Sequence, residues 1–348
     1  MASEDQTEEE QRSPFQAQAD YDASLLDVYV QIFERGVIAP AKILWSDYRG
    51  RFGLLIVTIY ILMGTVAQIT VAEPQSFQGP ILQGAFEGWA HPLGTTNTGQ
   101  DLLSLMVHAT PDMFKMMFAG AVFGNALGLT VGLYSGYLGG NVDKILMTMV
   151  DVLGSIPGLP LLLILVSIVQ PNNPYVIGMI INIQGWTGLA RAIRSQVLPL
   201  RNQEYVEASR AMGQSTSSVL MRQVLPDLLP YITIGFLGGA TGVITASVGL
   251  YFIGILPFTT QNWGVVLDQA YSSAGALYSM DAVHWLLVPL VTISGLTFGL
   301  TLLAQAFDQV FNPRVRARHL ARKQSDEGPD EEEDRPDSTS TTLSMGQQ

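Results

Sequence analysis

The sequence contains no cysteine, only four lysines and few charged residues of any kind, which make up 14% of its 348 residues. Without cysteine the chain forms neither a disulfide nor a thiolate metal site, and its redox compartment cannot be read. Its four histidines lack the spacing of metal ligands. Apolar residues make up 48%, and so little charge cannot cover the surface of a large soluble helical core. The composition therefore indicates a membrane protein.

Signatures of catalysis and of ion-coupled transport are missing as well. The chain has no HExxH segment and no GxxxxGK[ST] segment, so it shows neither a zinc-peptidase helix nor a phosphate-binding loop. We therefore expect it not to be an enzyme and to hold no cofactor of its own. A secondary transporter typically carries coupling-ion acids at the membrane midplane, often with an inverted repeat. Neither feature is found, which makes that class the weaker alternative.

Apolar windows predict the architecture. Five of them are long enough to cross about 30 Å of hydrocarbon as helices of roughly 20 residues. A sixth, Tyr175–Ala192, is shorter and is interrupted by Asn182, Gln184 and Gly185. We expect an all-α membrane protein with six transmembrane helices. The five longer windows are Phe52–Val71, Met116–Leu138, Ile145–Val169, Ile232–Leu256 and Val283–Leu303.

Lysine and arginine are absent from three segments between these windows, 72–111, 170–174 and 257–282. They occur on the other side, most densely in the basic juxtamembrane segment 311–323. Short loops rich in Lys and Arg stay in the cytoplasm. This predicts a multi-pass protein of the plasma membrane with both termini cytoplasmic.

The net charge of −12 comes almost wholly from two tails. Residues 1–23 hold seven acidic side chains and residues 326–337 hold eight. Their polar composition predicts that the tails, 1–23 and 324–348, are disordered, which leaves a transmembrane domain at 52–310. Acidic tails with few lysines are typical of salt-loving prokaryotes, and we expect a halophilic archaeon as the source.

Residues 24–51 connect the first tail to the first window. Apolar side chains recur at helical spacing from Leu25 to Phe33, and Trp45 and Tyr48 follow as interfacial anchors. This pattern predicts a cytoplasmic or interfacial helix. It fits a helix lying on membrane lipid and a helix packed on a partner subunit equally well.

A polar loop, residues 198–228, separates two apolar windows on the predicted cytoplasmic side. Gly213 can take the left-handed conformation that closes a first helix. A hydroxyl among residues 215–217 can cap a second helix, and Pro226 is expected to end it. The two predicted helices are Gln203–Met212 and Ser217–Leu225.

The composition of the polar loop suits an element on which another protein pushes. Ala208 and Ser209 are small enough to let a partner backbone approach closely. Glu207 and Arg210 are three residues apart on one helical face, where they can pair with each other or with charges of a partner.

The spacing of Glu207-Ala208-Ser209, Gly213 and Leu225-Pro226 resembles the coupling loop of ABC-importer permeases, which docks on an ATP-hydrolysing subunit. Other motifs between Trp45 and Arg318 narrow the resemblance to the second permease of dipeptide and oligopeptide importers. They are His91–Asp101 (HPLGTTNTGQD), Gly136–Asp143, Asp151–Pro160, Trp186 with Arg191 and Arg194, Trp263-Gly264 and Asn312-Pro313-Arg314.

Several positions depart from the family pattern. Thr96 and Gln100 replace Asp and Arg, Ser209 replaces Ala, Ser247 stands where relatives often have Glu, and Asn312 replaces Asp. Substrate preference is therefore not carried over from any one relative.

The resemblance implies a type I ABC importer permease fold with cytoplasmic coupling helices, forming half of a path for di- or oligopeptides. Nickel, oligosaccharides and other solutes remain alternative cargoes. The implied partners are a homologous sister permease, two ATP-binding subunits that hold ATP and Mg, an extracellular solute-binding protein and membrane lipid, but no nucleic acid. The implied coupling residues are Glu207, Ala208, Ser209, Arg210, Gly213, Leu225 and Pro226.

Three residues are candidates for the translocation path or its gate. Asp151 is the one acid expected to be buried in a span, where acids are costly and often functional; water or a nearby arginine is the plainer explanation. Ser247 and Tyr251 lie one helical turn apart on the fifth span. The glycines of that span form a small face, which more often packs against a helix than lines a pore.

Overall fold

The computed structural model describes residues 45, 47–77, 79–256, 262–274 and 276–311. Both acidic tails, the segment 24–44 and residues 312–323 lie outside these ranges, so what the sequence predicts for them stays a prediction. Within the described residues every regular element is a helix, and Thr95 and Asp101 form an isolated β-bridge.

The helices are named here in chain order. They are α1 (Tyr48–Gly64), α2 (Ala67–Thr70), α3 (Leu102–Leu138), α4 (Gly140–Ser155), α5 (Gly158–Val169), α6 (Pro174–Ile181), α7 (Trp186–Leu200), α8 (Glu204–Ala211), α9 (Thr216–Val219), α10 (Leu229–Phe252), α11 (Trp263–Ala274) and α12 (Val283–Phe311), with a π-helical turn at Leu220–Val224 and a 3₁₀ turn at Pro226–Leu228.

Four stretches are long and apolar enough to cross a membrane singly: Tyr48–Thr70, Leu102–Leu138, Pro226–Phe252 and Val283–Gln309. Two further candidates are bent helix pairs, α4 with α5 at 89° and α6 with α7 at 60°. The predicted six spans are therefore present if each bent pair counts as one span.

The window Ile145–Val169 is not one continuous helix but is broken near Pro157. Ile156 has φ −70° and ψ 131°, an extended conformation, and α5 begins only after Pro157. Proline lacks an N–H group and disfavours helical geometry in the residue before it, so the helix stops there. The predicted interruption near Asn182 and Gly185 separates α6 from α7.

Helix α3 is longer than the window at Met116–Leu138 and begins at Leu102. The Asp101 side chain caps it by accepting a hydrogen bond from the Ser104 N–H at 2.8 Å. The window missed the first turns because they contain Pro111, Asp112 and Lys115, but the last two pair at 2.8 Å. At 1.5 Å per residue the helix is about 55 Å long, and it joins the two ends of the bundle.

The motif His91–Asp101 folds against the first turn of α12. The His284 ring lies 3.0 Å from the Thr95 carbonyl oxygen, and His91 pairs with Asp101 at 3.3 Å. Thr96, where the family pattern has Asp, still accepts backbone N–H groups, from Thr98 at 3.2 Å and from Gln100 at 3.1 Å. The turn at Thr96 therefore forms although this residue departs from the family pattern.

Close backbone contact holds α6 against α3. A Cβ added at Gly178 would overlap the Met116 carbonyl oxygen, and one at Gly120 would lie 2.5 Å from the Gly178 carbonyl oxygen. The Asn182 amide donates to the Gly120 carbonyl oxygen at 2.6 Å. Glycine at both positions therefore sets the distance between the helices.

We expect Gly178→Ala to force α6 away from α3. The overlap is with backbone, so relaxation is costly, on the order of 1–3 kcal/mol as in other overpacked cores. The melting temperature of the purified protein in detergent should fall. Gly188→Ala is the matched control, because nothing lies within 4 Å of a Cβ at that position. Equal melting temperatures for the two variants would contradict this packing.

Candidate coupling site

The first helix that lies wholly within the polar loop is α8, which is closed by Gly213 as predicted. Gly213 has φ +78°. Its N–H donates to the Arg210 carbonyl oxygen at 2.9 Å, and the Gln214 N–H donates to the Ser209 carbonyl oxygen at 3.2 Å. These two bonds form a Schellman motif, which satisfies the last carbonyl groups of a helix and reverses the chain.

The second half of the polar loop departs from the prediction. Ser215 caps α9 through the Ser218 N–H at 3.3 Å, as expected of a hydroxyl there. Pro226, however, does not end the run. The Leu225 N–H bonds to the Leu220 carbonyl oxygen in a π-helical turn, and the chain passes through a 3₁₀ turn directly into α10. Since proline has no N–H group to donate, the turn type changes at this point.

One face of the polar loop is buried against two spans. Val206, Val219 and Val224 have no exposed surface. They pack with Leu133 and Tyr137 at the end of α3 and with residues of α7. Each fully buried aliphatic side chain contributes roughly 1.5–3 kcal/mol. The loop is therefore fixed to the bundle. The complete cluster is Leu133, Tyr137, Ile193, Val197, Val206, Val219, Leu220, Val224 and Leu228.

Arg210 attaches α8 to α3. Its guanidinium carbon lies 4.5 Å from the centre of the Tyr137 ring, and its Nε donates to the Tyr137 hydroxyl at 2.9 Å. Of the two pairings that the sequence allowed, with each other or with charges of a partner, Arg210 and Glu207 do not form the first. The sequence could not show this, because the competing partner is 73 residues away. Glu207 is exposed.

Tyr205 ties the start of the polar loop to its end. Its hydroxyl donates to Asp227 at 2.8 Å. Partial burial, and then this bond, raise the pKa of Tyr205 to about 12. Because the folded pKa lies above the ordinary value near 10, the stabilising contribution is fully present below pH 10 and is lost as the pH rises through 12. The bond is intact at neutral pH.

The opposite face of the polar loop is open. Ala208 is exposed, whereas Ser209 is buried and donates to the Tyr205 carbonyl oxygen at 2.9 Å. Of the two small residues, only Ala208 therefore lies on the outer face. Met212 and Met221 are 70% and 62% exposed. Sequence reasoning missed both, although an exposed methionine in a polar segment is a signal of an adaptable contact surface.

Two ion pairs join α7 to α4. Arg194 contacts both carboxylate oxygens of Asp143 at 2.6 Å, and the Ser135 hydroxyl also donates to Asp143. Arg191 pairs with Asp151 at 3.0 Å. The Asp151 side chain is 68% exposed, so the expectation that it is a buried acid is wrong. The arginine partner was the alternative explanation.

Neither Ser247 nor Tyr251 lies at an open surface. Both have no exposed area, and both lie on α10, where a Cβ added at Gly264 of α11 would be 2.8 Å from the Tyr251 Cβ. The Ser247 hydroxyl donates to the Ile244 carbonyl oxygen at 2.8 Å. They face the interior of this chain, which corrects the expectation that they line a path.

Metal ligation finds no support in the described part of the chain, where no three His, Cys, Asp or Glu side chains are grouped to hold an ion. The arrangement at the polar loop suits the transmission of force rather than the binding of an ion. It presents a firm outer face at one end of α3, α7 and α10.

Residues 128–317 match the family model described as "Binding-protein-dependent transport system inner membrane component". This stretch is more than half of the 348 residues and contains the whole polar loop. The chain belongs to this family. It is a multi-pass permease subunit of an ABC importer and not an enzyme, because ATP is hydrolysed by separate subunits. Permeases of this kind work with ATPase subunits, a partner permease and a substrate-binding protein.

Two permeases with related sequences agree with this assignment. The oligopeptide transport system permease protein OppC of Bacillus subtilis is 28% identical over 284 residues, covering 78% of this chain and 90% of the relative. The dipeptide transport system permease protein DppC of Haemophilus influenzae is 27% identical over 294 residues, covering 80% and 96%. An inward-facing structure of the MetNI methionine ABC transporter aligns with 58% of this chain and 96% of the solved chain, at 20% identity and a TM-score of 0.45.

The two ion pairs between α4 and α7 should differ in strength. Asp143 is 17% exposed and makes two bonds to Arg194, whereas Asp151 is 68% exposed. Hydrogen bonds to charged groups contribute about 1.5–3 kcal/mol, and exposed ion pairs contribute about 0–1 kcal/mol. We therefore expect Asp143→Ala to lower the melting temperature of the detergent-solubilised protein clearly more than Asp151→Ala. The reverse order would show that the two helices are held together by other contacts.

Proposed function

We propose that this permease forms half of the translocation path of a di- and oligopeptide importer and docks on ATP-binding subunits through the polar loop. A homologous sister permease supplies the other half, and an extracellular binding protein delivers the peptide. Relatives named as oligopeptide and dipeptide permeases match about four-fifths of the chain, which supports the choice of cargo.

The observation that carries the docking role is the two-sided polar loop. Its inner face is buried on α3 and α7, while Glu207, Ala208 and Met212 are exposed on the outer face. A loop that only connected two spans would need no such apolar core. Because the inner face is packed on the spans, a force applied to the outer face would be transmitted to them.

The route from the polar loop runs through three helices. The loop's apolar residues contact α3 and α7 directly, and Arg194 of α7 holds α4 through Asp143. ATP and Mg bind to the partner subunits, whose closure would displace the loop and these helices as one body. The spans would then switch between outward and inward access.

The orientation of the termini belongs to this proposal, and cysteine labelling tests it. The polar loop must face the cytoplasm, where ATP is, so α11 must face outside. Because the chain has no cysteine, Ser215→Cys and Ser272→Cys each carry a single thiol at an exposed position. An impermeant maleimide should label Ser272→Cys in intact cells, and Ser215→Cys only after the cells are broken open. The opposite pattern would place the polar loop outside and rule out the docking role.

The coupling role is tested at Gly213. No atom lies within 4 Å of a Cβ at this position, so Gly213→Val introduces no clash, but a β-branched residue at φ +78° is strained by about 1–3 kcal/mol. We expect the variant to assemble with the sister permease and to lose its ATPase subunits or the uptake of a labelled peptide such as trialanine.

The matched control for this test is Gly213→Asn, because asparagine tolerates positive φ. It should retain uptake and ATPase association. Wild-type uptake by Gly213→Val would disprove transmission through the polar loop. Absence of trialanine uptake by the intact wild-type transporter, with its ATPases working, would disprove the peptide cargo instead.

A further inference from the structure

A cavity of about 200 Å³ lies where α3, the break between α6 and α7, and α10 meet. Asn125 of α3 is about 35 Å from the start of that helix and about 20 Å from its end, at 1.5 Å per residue. The cavity is therefore deep within the span. Its lining includes Gly124, Asn125, Asn182, Gly235, Gly238 and Gly242.

Asn125, which lines this cavity, has an unused hydrogen-bond acceptor. Its amide nitrogen donates to the Ile232 carbonyl oxygen at 2.9 Å, which fixes the orientation of the amide group. Its Oδ1 is buried and has no hydrogen-bond partner in the described residues. A buried oxygen left in this state is costly, and native proteins normally supply it with a donor.

The residues that line the cavity determine which kind of group can donate a hydrogen bond to Asn125 Oδ1. The other lining residues are alanine, glycine, leucine, tryptophan and Asn182, so no charged group is present. One N–H of the Asn182 amide is used by the Gly120 carbonyl oxygen, and the amide makes no hydrogen bond to Asn125 Oδ1. An acyl chain of a lipid has no N–H or O–H group to offer. The cavity therefore suits a neutral donor, such as the amide N–H of a peptide backbone.

The cavity is open along α10. Nothing lies within 4 Å of a Cβ built at Gly238 or at Gly242. A group entering from outside this chain can therefore pass these two glycines to reach Asn125. In the proposed pair of permeases, such an opening faces the space outside this subunit.

We propose that Asn125 Oδ1 accepts a hydrogen bond from a backbone N–H of the transported peptide, and that the cavity is a subsite on the path. The inference rests on the proposed peptide cargo. The contact involves no side chain of the peptide, so it would serve peptides of different sequence. It would also discriminate against cargo that lacks N–H donors.

The test is a double-mutant cycle in the complete transporter with its sister permease, ATPases and binding protein. Uptake of trialanine and of trialanine methylated at both amide nitrogens is measured for wild type and for Asn125→Ala. Discrimination by the binding protein is the same in both transporters and cancels in the cycle. We expect wild type to prefer trialanine by roughly two- to tenfold more than Asn125→Ala does, as for one neutral hydrogen bond.

A second variant, Gly242→Val, keeps Asn125 and fills part of the cavity with a larger side chain. Gly242→Val should reduce trialanine uptake at least as strongly as Asn125→Ala while the transporter stays assembled. Gly249→Val is the matched control, because it lies two turns further along the same helix, has nothing within 4 Å and does not line the cavity. Its uptake should stay close to wild type.

The outcomes separate the two proposals. Trialanine uptake with equal discrimination in wild type and Asn125→Ala would overturn the subsite alone, and would indicate that water satisfies Asn125. Equal loss in Gly242→Val and Gly249→Val would also overturn the subsite. No trialanine uptake by wild type would overturn the peptide cargo, and the subsite with it.

Discussion

The burial of the polar loop's apolar face on α3 and α7 is the interaction on which the proposed mechanism depends. Val206, Val219 and Val224 have no exposed surface, and the helices that carry them are only one or two turns long. Helices this short are not stable alone in water. Their order comes from the two spans beneath them, and the same contacts make the loop and the spans one mechanical unit.

Breaks inside the other spans are subject to a second constraint. A break leaves backbone groups without a helical partner, and unpaired backbone groups are very costly in hydrocarbon. The Gln184 amide donates to the Leu153 and Ile156 carbonyl oxygens, both at 2.7 Å, where α4 ends. Asn182, in the other break, donates to the Gly120 carbonyl oxygen. Gln184, one of the polar residues that interrupt the sixth apolar window in the sequence, therefore satisfies carbonyl groups at the break between α4 and α5.

Local signals in the sequence predicted local structure well. Apolar windows located the spans, and Gly213 and Ser215 set the helix ends by backbone rules that need no distant partner. Predictions that depended on tertiary contacts were less successful. Arg210 bonds to Tyr137 instead of its helical neighbour, Asp151 is exposed, and Tyr251 is buried inside the chain. The sequence contains those residue types but not the packing that chooses among their possible partners.

The cavity and the polar loop share helices α3 and α7, which gives their coupling a physical basis. Helix α7 begins at Trp186, which lines the cavity, and about three turns later places Val197 in the cluster beneath the loop. Helix α3 likewise carries Asn125 in the cavity and Tyr137 under Arg210, about 18 Å apart at 1.5 Å per residue. Packed helices move as rigid bodies and do not deform continuously. If a displacement of the loop moves α3 and α7 relative to α10, it changes the walls of the cavity. In the proposed mechanism, a force applied at the loop would then reach a peptide in the cavity without a separate relay.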